Sequence, residues 1–403
     1  MTTPDQTYSD KFAEIVPNLQ DLYALTQQLI TPEMVYTLTQ RLASVYAPTG
    51  TVAFTIGPVL NQIAAEFPGY NRITVYPHYL DTPSPAFDVN CVTKNTPVFF
   101  THADEISYDV KTMGSGEVPL TPLCAHRQQP NMQFPGVVLR YKDTKGEQIL
   151  EQIAEGFVQT KPDSTVIFTT QHGSEGKIKA GDRVVFNPEQ RLALATDGDT
   201  MTGIIDNRAG MAIALAVIQV LANPDQKINH LRETAATFIA TDGEEGVADP
   251  PVFAWGAREV ALALREKYAD QSPMIVTDGH DFNRDSIIPP QALIARVVSN
   301  GKGPVIQPDR LHRVRLLVEA IETITGQQMA AETDTVGGTT SRSDDEGLRR
   351  GGIAGRLIYP IGYGVKAAHH DDGEPAAASL NNLVTTARFL TLAVYAANKG
   401  LLY

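Results

Sequence analysis

The chain has 403 residues, more than one hydrophobic core usually supports, so a second domain or a large insertion is expected. Its composition, 42% hydrophobic and 20% charged, suits a globular protein, and a formal net charge of −13 without any Lys/Arg-rich block argues against nucleic acid as a partner. With Cys91 and Cys124 the only cysteines, a disulfide framework or thiolate zinc cluster is excluded, so a metal site has to rely on histidines and carboxylates. No apolar run is long enough to span a bilayer, and the Met1 to Gln6 start lacks the basic and apolar parts of a secretory signal, so no membrane association and a cytoplasmic location are expected.

Residues 8–46 carry Leu, Gln, Ala and Thr at roughly helical spacing, and Pro17 and Pro32 divide them into two or three short helices. Gly57 to Phe67 reads as another amphipathic helix. Asn71 to Pro77 and Pro97 to Phe100 read as strands, the second leading through Thr101 into His102. Between about 110 and 200 short β-type runs dominate: Gly136 to Tyr141, Thr165 to Thr169 and Asp182 to Phe186. Gly, Pro, Asp and Lys turns separate them, which predicts a small β domain. One helix, Glu147 to Gly156, is expected to interrupt it. After residue 200 strands and helices alternate. Ala209 to Leu221, Trp255 to Tyr268, Leu311 to Thr325 and Leu380 to Asn398 are helices; Ala235 to Ala240, Met274 to Thr277 and Ala354 to Tyr359 are strands. That rhythm implies an α/β fold with helices on both faces of a sheet.

Ligand-type residues stand at five places in this pattern. Glu244 and Glu245 follow the apolar run Thr237-Phe238-Ile239, in a loop carrying Gly243 and Gly246. Neighbouring carboxylates repel, and a divalent cation would offset them, one Glu serving as ligand and the other as a base towards water. His102 and Asp104, two apart after a strand, point the same way in an extended segment, so Asp104 can orient the ring of a ligating His102; a turn with a capping Asp is the bland alternative. Asp206 opens a helix and is either its N-cap or a carboxylate bridging two metals. Asp278 lies just beyond a strand, with His280 and Asp281 close enough to compete for the same role. His369 and His370 share a polar loop before the last helix, and the sequence does not choose between them. Strand ends of open α/β sheets are where ligands collect, so His102, Asp206, Glu245, Asp278 and His370 are the expected metal set. Two imidazoles and three carboxylates make two sites sharing Asp206, a donor set that suits zinc, cobalt or manganese.

These residues give the chain a family likeness. It resembles the co-catalytic dinuclear metallo-aminopeptidases that assemble as tetrahedral dodecamers, the glutamyl and deblocking aminopeptidases, some of which carry endoglucanase labels. His102-Ala103-Asp104-Glu105-Ile106 and Asp206-Asn207-Arg208-Ala209-Gly210 match the family's strings. Glu244-Glu245-Gly246-Val247, Gly256-Ala257, Asp278, Gly337-Gly338-Thr339 and His370 with Glu374 are similar to its softer motifs, over a span from about residue 35 to the C-terminus. The chain departs in a longer link after the Glu-Glu pair, in Thr340-Ser341, in His369-His370-Asp371, and in about 30 residues that look like an N-terminal extension.

The resemblance implies a zinc-peptidase-like mixed sheet flanked by helices, with a small β-barrel-like insertion. Residues 1–109 and 201–403 would form the catalytic domain, and 110–200 the inserted domain that helps build the oligomer. It implies two divalent ions bridged by Asp206, one completed by His102 and Asp278, the other by Glu245 and His370. Glu244 would be the general base, with Asp104 orienting His102. Peptide substrates and a homo-oligomer, dodecameric in the family, follow from the same likeness. Two rivals are a dinuclear hydrolase of another amide, such as an N-acyl amino acid or a dipeptide, and a non-catalytic homologue. A serine hydrolase is disfavoured because Gly-x-Ser-x-Gly is absent.

Overall fold

A computed structural model describes residues 4–90, 92–93, 96–111, 117–124, 129–144, 147–171, 175–224, 229–246, 253–268, 272–281, 293–296, 308–326, 331–334, 343–366 and 375–402. The first helix, α1 (Pro4–Leu29), runs straight through Pro17 rather than breaking there. An internal proline costs about 3 kcal/mol. Burial of Phe12, Ile15, Leu19, Leu22 and Leu25 along one face returns roughly 1.5–3 kcal/mol each and outweighs it. Pro32 does mark a boundary. It opens α2 (Pro32–Ala43), where the Thr31 hydroxyl accepts from the Met34 amide at 3.2 Å. Helix α3 (Val52–Ala65) follows, then β1 (Ile73–Tyr76), β2 (Ala86–Val89) and β3 (Val98–His102).

The chain then leaves the main sheet for a closed barrel. Its strands are β4 (Ser107–Val110), β5 (Val118–Pro122), β6 (Gln133–Thr144), β7 (Glu147–Thr160), β8 (Val166–Thr170) and β9 (Arg183–Phe186), in the order β4-β5-β8-β7-β6-β9. Strand β7 replaces the helix expected at 147–156. Glu, Gln, Leu and Ala favour a helix locally. Pairing with β6 on one side and β8 on the other satisfies the backbone, and Ala154 and Val158 are buried inside the barrel. A Cβ on Gly156 would stand 2.0 Å from the Thr169 carbonyl, so this strand crossing also needs glycine.

After the barrel come β10 (Leu192–Leu194) and β11 (Thr200–Gly203), which form a three-stranded sheet with a late strand. Helices α4 (Arg208–Ala222) and α5 (Asn229–Glu233) lead to β12 (Ala236–Thr241), α6 (Trp255–Tyr268), β13 (Met274–Val276), β14 (Gly279–Asp281), β15 (Leu293–Arg296), α7 (Pro308–Thr325), β16 (Ala331–Asp334) and α8 (Asp344–Arg350). Strand β17 (Ile358–Val365) starts later and ends later than expected, because Gly355–Leu357 form a 3-10 turn. Strand β18 (Ala376–Ser379) completes the small sheet, and α9 (Leu380–Asn398) ends the fold over the residues expected of it.

The main sheet is mixed, in the order β1-β2-β12-β3-β13-β17-β15-β16, with β14 also paired to β17. At its centre β12, β3, β13 and β17 run parallel. Alternate residues of these strands separate two apolar layers. Phe99, Phe238, Ile275 and Tyr359 join the core shared with α1, α2, α4 and α9. Phe100, Ile239, Val276 and Ile358 join the core beneath α6 and α8. No helix among the described residues is long and apolar enough to cross a membrane.

Candidate metal centre

The register of the central strands places the polar residues level with one another. Thr241 is the Cα partner of His102, and Val276 is the partner of Phe100. Two residues beyond those partners, His102 and Asp278 therefore sit side by side, and the Asp242–Glu245 loop leaves the sheet on the other flank of His102. Asp206 arrives from the turn before α4. Its neighbour Asn207, not Asp206, is the N-cap, accepting from the Gly210 amide at 3.0 Å. Asn207 also donates to the Thr277 carbonyl at 2.9 Å and accepts from the Tyr363 hydroxyl at 2.9 Å. Those bonds tie the start of α4 to the end of β13 and hold Asp206 against Asp278. The Asp206–Asn207 peptide is cis.

The structure thus brings together His102, Asp104, Asp206, Glu244, Glu245 and Asp278. His102 Nε2 lies 3.1 Å from Asp206 Oδ1, 3.4 Å from Asp278 Oδ1 and 3.9 Å from Glu244 Oε2. Two ligand trios arise around this nitrogen, His102 with Asp206 and Asp278, and His102 with Glu244 and Glu245. A tetrahedral cation with ligands at about 2.0–2.1 Å has ligand–ligand edges of roughly 3.3–3.4 Å. The two edges from His102 Nε2 to Asp206 and Asp278 lie close to that length, while Glu244 stands farther off. Both Glu245 oxygens are buried and meet no N–H or O–H donor. Left so, they would cost the full desolvation penalty, so the donor set fits a divalent cation. His370, with His369, lies outside the described residues.

Asp104 is tied into the same centre. Its Oδ1 is 3.5 Å from His102 Nδ1, and its carboxylate accepts from the amides of Glu244 at 3.3 Å and Glu245 at 3.0 Å. The Thr49 hydroxyl lies 2.7 Å from Asp104 Oδ2 and 2.9 Å from the Glu245 carbonyl, clamping the loop further. One carboxylate therefore faces the imidazole and positions both glutamates. His280 and Asp281 fall on β14, paired with β17, and Asp278 Oδ1 lies 3.4 Å from His102 Nε2.

The electrostatics express an excess of negative charge. Burial pushes the Asp206 carboxyl up, and the adjacent Asp278 adds to this. Burial, then Glu245 and Asp278 against the partial relief from His102, holds Glu244 well above the carboxylate range. Burial, followed by Asp206, lifts Glu245 to about 8. Burial opposes a charge on His102, but Glu244 and Asp278 overcome it and raise the ring well above its ordinary value. Among the described residues one buried imidazole faces several carboxylates, an arrangement that cations relieve.

Two acids escaped the sequence reading. Asp242 accepts from the Gly50 amide at 2.8 Å and the Val52 amide at 3.0 Å, tying α3 to the glutamate loop; burial, then Asp104, pushes it up to about 7. Asp344, at the start of α8, is fully buried, takes a short hydrogen bond from the Thr241 hydroxyl, and is lifted to about 7 chiefly by burial. Asp242 stood in the Ala240 to Gly246 string and was legible as a further acid there. Asp344 had no strand before it to mark it. Behind the site, the buried Arg208 donates to the carbonyls of Ala103 and Val45, and Arg191 pairs with Glu105 at 2.8 Å.

No family model matches the sequence, and no curated protein matches it either. Solved structures do match. The aminopeptidase APDkam598 from the archaeon Desulfurococcus kamchatkensis superposes with a TM-score of 0.67 at 14% identity, over 92% of this chain and 97% of that one. A TET aminopeptidase from a marine-sediment Thaumarchaeota archaeon gives a TM-score of 0.67 at 16% identity, over 92% and 99%. The TET1 peptidase of Pyrococcus horikoshii, which can assemble into a tetrahedron or a large octahedral shell, gives 0.61 at 14% identity, over 90% and 98%. The chain shares the fold of these aminopeptidases across nearly its whole length.

Proposed function

We propose that the protein is a metal-dependent aminopeptidase, removing N-terminal residues from peptides at a dinuclear centre. One observation carries the reading: His102 Nε2 lies 3.1 Å from Asp206 and 3.4 Å from Asp278, close to tetrahedral edge lengths, with the buried Glu245, which meets no N–H or O–H donor, in the same cluster. His102 and Asp278 would hold one ion, Glu245 and His370 the other, and Asp206 would bridge them. When bound, zinc, cobalt or manganese supplies Lewis acidity, polarising a carbonyl and lowering the pKa of water.

The chain's own residues do the rest. Glu244, buried and 3.9 Å from His102 Nε2, stands outside the ligand edge and is the general base. It takes the proton of the attacking water and gives it to the leaving amine. Asp104 faces the His102 ring and sets the position of the base through the Glu244 amide. Asn207 fixes Asp206 against β13. The barrel, residues 107–186, which starts just before the expected 110–200 insertion and fills most of it, is the part we assign to homo-oligomer assembly.

The test is a substrate panel. Purified protein loaded with zinc, cobalt or manganese should hydrolyse aminoacyl-nitroanilides and leave N-acyl amino acids intact. Turnover of the acylated substrates alone would move the scissile bond, and turnover of neither would favour a non-catalytic homologue.

A further inference from the structure

The chain crosses between the main sheet and the barrel twice, and a buried charge cluster holds the two crossings together. On the way in, Glu105 stands just before β4 and three residues after His102; on the way out, Arg191 follows β9. Arg191 donates from Nη2 to Glu105 Oε2 at 2.8 Å, from Nε to the Ala43 carbonyl at 2.6 Å and from Nη1 to the Phe186 carbonyl at 3.0 Å. Its guanidinium lies 4.2 Å over the Tyr46 ring. The Arg191 carbonyl accepts from the Ile204 amide at 2.8 Å, two residues before Asp206. Two residues after Asp206, the fully buried Arg208 completes the cluster. Arg208 lies 3.5 Å from Glu105 Oε1, donates to the Ala103 carbonyl next to His102, and shares the Val45 carbonyl with Arg191. Glu105 Oε1 also accepts from the Ala47 amide at 2.6 Å. One buried carboxylate thus joins the entry to the barrel, the exit from it, and the helix start that follows Asp206.

We infer that Glu105 is a positioning residue for the metal centre, keeping His102 and Asp206 at their mutual distance by clamping Arg191 and Arg208 across the neck of the barrel. This rests on the dinuclear reading above and adds to it a physical link from the barrel to the ligands. Two guanidiniums that share one carbonyl repel each other away from water, and the carboxylate between them offsets both. With that charge gone they move apart, and each draws on a different ligand segment. Arg208 draws on the turn carrying Asp206 and on the Ala103 carbonyl; Arg191 draws on the strand end that delivers Ile204. A shared ligand tolerates little displacement, so the loss is read in metal affinity as well as in stability.

Zinc calorimetry and the visible d–d bands of bound cobalt(II), both on folded, chelator-treated protein, make the test. Glu105→Gln keeps an acceptor for the Ala47 amide and removes the charge. It should bind zinc about 10–100-fold more weakly and shift the cobalt bands. Arg191→Lys keeps the charge but loses the fork that reaches Ala43, Phe186 and Glu105 at once. It should move both readings the same way, and it carries the test if Glu105→Gln does not fold. Arg140→Gln is the control: it breaks the barrel's own Arg140–Asp182 pair, 2.8 Å long, and should weaken the barrel in urea while zinc affinity and cobalt bands stay native. Native zinc affinity and unshifted bands in folded Glu105→Gln or Arg191→Lys would overturn the inference, make the cluster purely structural, and leave the dinuclear reading standing. An equal affinity loss in Arg140→Gln would overturn it too, since any loosening of the barrel would then suffice. Native protein that binds neither metal would overturn both.

Discussion

Replacing Glu245 by Gln should stabilise the metal-free protein while removing its response to metal. In the folded, metal-free chain burial keeps Glu245 protonated up to about 8, whereas the unfolded residue titrates near its ordinary 4.5. The folded state therefore binds more protons between those values. The contribution of this group to stability is full below the unfolded pKa and is lost as pH rises through the folded one. At about 1.36 kcal/mol per pH unit, it costs about 1.4 kcal/mol by pH ~5.5 and about 4 kcal/mol by pH ~7.5. Gln cannot ionise in either state, so Glu245→Gln should recover up to those amounts. Urea denaturation of chelator-treated native and variant protein at the two pH values measures the difference. The gap should widen with pH, and added zinc should stabilise the native chain much more than the variant. A variant no more stable than native protein at pH ~7.5, or a gap independent of pH, would refute the charge imbalance on which the metal argument is built.

Other expected outcomes follow from the same geometry. Glu244→Gln should retain its metals, measured by elemental analysis, and lose about 10²–10⁴-fold in turnover; normal hydrolysis would remove Glu244 as the base. Asn207→Ala deletes the cap of α4 and the bond to the Thr277 carbonyl, so stability should fall by about 1–3 kcal/mol in denaturant titration and metal affinity should fall with it. Gly243→Ala should be poorly tolerated, because φ is +78° and its Cβ would stand 1.8 Å from Trp255 Nε1; a soluble variant should show weakened metal binding by calorimetry. Asp104→Ala frees the ring of His102 and both glutamate amides, and should lower metal affinity about 10–100-fold.

Much of the site was legible because parallel strands turn chain position into spatial position. An apolar run followed at once by His102, by Glu244 and Glu245, or by Asp278 ends at the same edge of the sheet once β3, β12 and β13 lie in register. The alternating helices and strands after residue 200 were readable for the same reason, since each buried strand needs a covering helix. What escaped is non-local. Glu147 to Thr160 has helix-favouring side chains, and only pairing to β6 and β8 makes it a strand. Pro17 looks like a breaker until α1 is seen packed on the core. Asp344 reaches the site by way of Thr241 on β12, about a hundred residues away in sequence, and no local pattern reports such a contact.

The central claim is that one bridging carboxylate joins two cation positions. Calorimetric titration of zinc into chelator-treated native protein should resolve about two sites per chain, and Asp206→Asn should impair both together because it removes the shared ligand. A single site, no binding, or an Asp206→Asn variant that still takes up two ions with native affinity would contradict it.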